Sequence, residues 1–344
     1  MTDSLVHGNT ATGSDGGGVS NLGTATLTRS SIFSNSARYG GGLHQLAGVM
    51  TIENVTVSSN TASSEGGGID VAAGSLTVRF STIAANTASG GTGVGAIVRG
   101  GARTIGSSIF ADNSSITGGR DLHGTVTSLG YNVIEHNAGF TGTVATDQLG
   151  ADPALAALAL HAASGQYVHA LNSGSIAIDV GGAAPPATDQ RGVTRDGSAD
   201  AGAYEFANSA PVLDASGTMT LTTITEDETN NAGDLVSSLI ASAGGDRITD
   251  ADGDPEGIAI TALASGNGSW EYSLDGGASW LTIGTVTNAS ALLLRSTDRV
   301  RFVPNAADGT TASITFRAWD RKVGTAGTKV STASNGGSSA FSAA

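Results

Sequence analysis

Residues 55–80 read VTVSSNTASSEGGGIDVAAGSLTVRF, and residues 30–54 before them read SSIFSNSARYGGGLHQLAGVMTIEN. Laid on one another, the two stretches align Asn35 with Asn60, the glycine triplet at Gly40 with that at Gly66, and Leu43 with Ile69. The frame extends outward to residues 4–29 and 81–106, and more loosely to 107–137. Asn9, Asn35, Asn60, Asn86 and Asn113 then step by 26, 25, 26 and 27 residues. A fixed period of this size marks a solenoid, propeller or array.

The apolar residues in each unit are few and strand-like. Val6, Ile32, Val57, Ile83 and Phe110 each stand three residues before an asparagine, and Val19, Leu43 and Ile69 follow the triplets. Alternation such as Ser75-Leu76-Thr77-Val78 has the period of a strand. No unit carries a helical period of useful length, which excludes leucine-rich and helical repeats. Three short strands per unit fit one coil of a right-handed parallel β-helix. An asparagine repeated in every coil can pass amide hydrogen bonds up a stack spaced about 4.8 Å. Asparagine also tolerates the left-handed backbone of a corner, and glycine fits corners that no side chain can enter.

The repeats of residues 1–137 resemble the right-handed β-helices of bacterial surface proteins with a pectin-lyase-like fold. The residues that follow resemble the end of the choice-of-anchor Q family. They are Asp152-Pro153-Ala154-Leu155, His169-Ala170-Leu171, Gly174 to Asp179 (GSIAID), Thr188 to Gly192 (TDQRG) and Asp200 to Glu205 (DAGAYE). Ile176 stands where the family has proline, and Ala201 where it has isoleucine. Residues 138–206 are expected to close the stack, with Tyr204 and Phe206 plugging its end and Asp179, Asp189 and Arg191 tying the loops. The first domain is therefore 1–207.

Ala210-Pro211 breaks the pattern, and all three tryptophans lie beyond it. Strands are expected at 219–224, 258–263, 269–273, 291–294, 299–303 and 313–319, separated by turn signals such as Asp275-Gly276-Gly277. Six short strands of this kind indicate an antiparallel β-sandwich. WEYSLDGGASW reads as a hairpin turning at Asp275-Gly276. Residues 208–344 resemble the cadherin-like or Ig-like modules of large bacterial adhesins, cut before a final strand. The fold class expected is all-β, a right-handed parallel β-helix followed by a β-sandwich.

The chain carries 16 basic and 30 acidic side chains, a net charge of −14. Residues 1–207 and 208–344 each hold 8 basic and 15 acidic residues, so neither half offers a basic face for nucleic acid. The absence of cysteine excludes zinc-thiolate sites and thiol catalysis. No apolar run is long enough to span a membrane. MTDSLVHGNT is not a signal peptide and reads as mid-repeat, so a longer parent chain with other modules is expected.

Asp250, Asp252 and Asp254 alternate in TDADGDPEG, a spacing that lets carboxylates turn toward one hard cation with oxygen ligands. The competing reading is a solvated acidic turn. The cadherin-like resemblance implies calcium held by Glu226, Asp250, Asp252 and Asp320, with Asp254 in support. A lyase reading rests on Arg120, Asp121 and His123 near Asp112, and few aromatics accompany them for sugar stacking. The reading reached is an adhesin-type protein of the bacterial surface or extracellular space, binding a cell-surface glycan or protein or acting as a spacer. The alternative is a β-helix that binds or cleaves polysaccharide.

Overall fold

The computed structural model describes residues 1–343 apart from 91–96, 99, 116–120, 183 and 197, and the side chains of 97 and 98. It divides into two compact units, 1–206 and 207–344.

The first unit holds a β-solenoid of about four turns, in residues 5–134. Its coils stack in parallel and in the register of the repeat. Val6 pairs with Ile32, Ile32 with Val57, Val57 with Ile83, Ile83 with Phe110, and Phe110 with Ile134. A second column runs Val19, Leu43, Ile69 and residue 97. A third runs Ser36, Thr61, Thr87 and Ser114. Side chains alternate across a strand, so one residue of each pair points inward. Ile32, Leu43, Ile52, Val57, Ile69, Val78, Ile83 and Phe110 fill the interior and exclude water.

The asparagine column forms a ladder with one direction. Each backbone N–H and each Nδ2 donates to Oδ1 of the next coil's asparagine, from Asn9 through Asn35, Asn60 and Asn86 to Asn113, at 2.9–3.1 Å. Nδ2 also donates to the carbonyl of the preceding coil's inward residue, as Asn60 does to Ile32 at 2.9 Å. Asn35, Asn60, Asn86 and Asn113 are buried. The left-handed corner does not fall on the asparagine, contrary to the expectation from its backbone tolerance. It falls on the residue before it, at Gly8, Ser34, Ser59, Ala85 and Asp112. The ladder asparagines themselves have no positive φ. In the glycine triplets the middle residue has no room for a side chain. A Cβ on Gly41 would lie 2.4 Å from the Thr61 carbonyl oxygen of the next coil.

Residues 152–206 do not plug the end of the stack. They lie along its outer face, against the residues that alternate with the core. Gln166 and Tyr167 meet Ser31, Gln190 meets Thr56, and the Ala203 N–H donates to Thr82. Tyr204 and Phe206 belong to a side cluster with Ile109, Val133, Leu171 and Ala177. Asp189 and Arg191 pair at 2.7 Å, and the Arg191 guanidinium stacks 3.5 Å from the Tyr204 ring centre.

The second unit contains two four-stranded antiparallel sheets. One runs in the order Asp234–Leu235, Arg299–Pro304, Gly268–Ser273, Leu281–Thr282. The other runs Ser313–Trp319, Gly257–Ala264, Ala291–Arg295, Lys329–Val330. Ile258, Ile260, Leu292 and Leu294 of one sheet share a core with Trp270, Tyr272 and Val300 of the other. The expected hairpin forms, with Glu271 opposite Thr282 and Tyr272 opposite Leu281. The expected strand at 219–224 does not. That segment is held by side chains instead, the Thr222 N–H and hydroxyl both donating to the Asp234 carboxylate. A six-residue helix, Val236–Ala241, buries Val236, Leu239 and Ile240. Phe341 bridges to Trp319 and is buried beside it.

Candidate functional site

The acidic loop follows the short strand Ile248–Thr249. Its backbone turns on Gly253, which has a φ of +75°. The Asp252 N–H donates to Asp250 Oδ1 at 2.8 Å, which fixes the loop. The alternating aspartates consequently face one side, and one carboxylate oxygen from each of Asp250, Asp252 and Asp254 lies within 4.8 Å of the others.

Two further residues close on this group. Asp320 follows the strand Ser313–Trp319 and is almost completely buried. It accepts from the Lys322 N–H at 2.9 Å and from Asn208 Nδ2 at 2.7 Å. The Ser209 N–H donates to Asp252 Oδ2 at 2.5 Å. Burial raises the Asp254 carboxyl above its ordinary range; Lys322 opposes the rise, and Asp250 and Asp252 add to it. Burial likewise raises Asp320, with Asp254 and Asp250 contributing. Lys322 Nζ stands 3.3 Å from Asp254 Oδ1 as the one cation paired to the group among the described residues.

Three oxygens around this loop are buried without a hydrogen-bond donor: Asp250 Oδ2, Asp254 Oδ2 and Asn208 Oδ1. A buried oxygen without a donor forfeits about 1–3 kcal/mol. Oxygen-only ligands of this kind suit a hard divalent cation. Glu226 is not brought to the group. Its Oε2 lies beside Gly309, before the strand that Asp320 follows. Seven strand residues at about 3.3 Å each separate the two by roughly 20 Å. Asn208 and Lys322 were missed in the sequence. The signal for Asn208 was its place just ahead of Ala210-Pro211, where the second unit begins.

The lyase candidates are arranged otherwise. Arg120 lies outside the described residues. Asp121 is buried and terminates the ladder: Oδ1 accepts from Asn113 Nδ2 and Oδ2 from the His136 N–H, both at 2.8 Å. Burial pushes its carboxyl up to about 6 against those bonds. Glu135 and His136 stand beside it, and Glu135 accepts from the Asp112 N–H. The His123 carbonyl accepts from the Arg103 guanidinium. A base must reach its substrate within hydrogen-bond distance, and Asp121 is buried with both oxygens already accepting. The closest Ser–His contact has the same limit. His169 Nε2 is 2.8 Å from Ser58 Oγ and Nδ1 is 2.8 Å from the Ala156 carbonyl. Both side chains are buried, and burial lowers the imidazole's pKa. This pair fastens residues 152–206 to the solenoid.

No family model, curated protein or solved structure matches the chain. No helix among the described residues is long and apolar enough to cross a membrane.

Proposed function

We propose that the chain is a binding or spacing protein of adhesin type, built for the bacterial surface or the extracellular space. In this reading a rigid solenoid carries a β-sandwich module whose stability depends on calcium. The observation that carries the reading is the group of buried oxygens without donors around Asp250, Asp254 and Asn208. Asp252 and Asp320 would complete the oxygen set, and Lys322 would yield Asp254 to the ion. Residues 152–206 would belong to the choice-of-anchor Q type of ending, and 208–344 to the cadherin-like or Ig-like modules. Their partner would be a cell-surface glycan or protein. A polysaccharide lyase is disfavoured because Asp121 is committed to the ladder.

The test is thermal unfolding of the full chain in calcium, in magnesium and in chelator. A ligand bound only by the folded state adds RT ln(1 + [L]/Kd), about 2.7 kcal/mol at a hundredfold excess over Kd. The expected result is a calcium-specific rise in the transition of residues 207–344, lost in Asp252→Ala. No shift at millimolar calcium would return the loop to a solvated acidic turn.

A further inference from the structure

We propose that Asp121, Glu135 and His136 form a binding site for one divalent transition-metal ion of the zinc type, in the first unit and independent of the acidic loop of the second. The three residues come from neighbouring coils. Ile109–Ala111 pairs in parallel with Val133–Ile134. Glu135 and His136 follow the second of these strands, and Asp121 accepts from the last asparagine of the ladder, Asn113. One ligand atom from each of the three lies within 4.8 Å of the others.

His136 Nδ1 carries the inference. The atom is buried and has no hydrogen-bond partner, although 39% of the side chain is exposed. It stands 3.6 Å from Asp121 Oδ2 and 3.5 Å from Glu135 Oε2, so it faces two carboxylate oxygens and bonds to neither. A ring nitrogen carries one proton at most, and a hydrogen bond could therefore satisfy only one of the two. A metal ion satisfies both. Two donors each about 2.1 Å from zinc stand about 3.4 Å apart at a tetrahedral angle. The observed separations match that spacing and exceed an N–H···O hydrogen bond.

Both carboxylates are held in place by backbone donors. Asp121 Oδ2 accepts from the His136 N–H at 2.8 Å, and Glu135 Oε2 from the Asp112 N–H at 2.7 Å. Each oxygen keeps a second lone pair for an ion, and bonds of this kind orient metal ligands. Burial raises the neighbouring Asp112 carboxyl, and Glu135 and Asp152 add to the rise, so negative charge is crowded here. The donor set fixes the class of ion. Calcium and magnesium take oxygen ligands, whereas imidazole beside carboxylates suits zinc. Three protein ligands leave a fourth position to water.

The test is calorimetric titration of the full chain with zinc, and separately with calcium, near neutral pH. His136→Gln removes the ring nitrogen and leaves the backbone N–H that Asp121 accepts, so its unfolding in chelator should match the parent's. Its zinc affinity is expected to fall at least about tenfold, and that of Glu135→Gln likewise. Asp252→Ala is expected to bind zinc as the parent does, and His136→Gln to leave any calcium binding unchanged. Absence of zinc binding by the parent chain overturns the proposal. So does unaltered zinc affinity in His136→Gln, or zinc binding that Asp252→Ala abolishes, which would assign the ion to the acidic loop.

Discussion

Replacing Asn60 by leucine removes the middle rung of the ladder with little change of volume, so the loss is polar rather than a cavity. The Asn60 side chain makes four hydrogen bonds. Nδ2 donates to the Ile32 carbonyl at 2.9 Å and to Asn86 Oδ1 at 3.0 Å, and Oδ1 accepts from the Asn35 N–H and Nδ2, both at 3.0 Å. At about 1 kcal/mol net for each bond, the four are worth about 4 kcal/mol. Burying the leucine returns about 1–2 kcal/mol. The Asn35 N–H left without an acceptor pushes the balance back toward loss, so about 3 kcal/mol is expected. For a unit of this size that is a fall of about 6–12 °C in the midpoint. The control is Asn9→Leu. Asn9 is exposed and its side chain donates one ladder bond, at 2.9 Å, so under about 1 kcal/mol is expected. Thermal and urea unfolding of the full chain, followed at the transition of residues 1–206, compares the two. Equal shifts in both variants would refute the buried ladder as a source of stability.

The first unit is also expected to weaken as pH rises. Burial, with Glu205 adding, pushes the Asp200 carboxyl up to about 7, and burial raises Glu205 and Asp121 as well. These groups hold protons more tightly folded than unfolded. Their contribution is full below about pH 4 and is lost as pH climbs to about 7, at about 1.4 kcal/mol per unit. The urea midpoint should fall between pH 5 and pH 8, and a midpoint that rises over that interval contradicts the assignment. In the second unit, Lys322→Met removes the ammonium that competes for Asp254 and should tighten calcium binding about tenfold, near 1.4 kcal/mol. Calorimetry reads this directly, and weaker binding would mean that Lys322 supports the site.

The solenoid was legible because stacking repeats each inward side chain at a fixed period, so Val6, Ile32, Val57, Ile83 and Phe110 announce one column before any contact is known. The path of residues 152–206 was not. That segment has no period, and its partners are remote in sequence, as Gln190 is from Ser31. Alternation at 219–224 misled for a related reason. A two-residue period shows what a segment would bury, and the neighbours decide whether it pairs. The three aspartates of the loop were legible because their spacing is local. Asn208 and Lys322 reach the loop by folding alone, and Glu226 is carried away from it by the same strand that brings Asp320 close.

The ladder explains how coils of unequal length keep one register. Successive asparagines are 25 to 27 residues apart, so the connections vary while the strands must not. Apolar packing alone resists a slip by one residue, which would turn every inward side chain outward. A slip by two residues would preserve the apolar alternation and escape that penalty. It would not escape the ladder. An asparagine displaced by two positions would bury its amide away from both neighbours, and each donor or acceptor left alone would lose about 1–3 kcal/mol. Asp121 makes the same case at the end of the stack. It supplies the acceptor that Asn113 Nδ2 requires, although burial drives its own carboxyl toward protonation. A carboxylate is retained at that electrostatic cost where the alternative is an asparagine donor facing nothing.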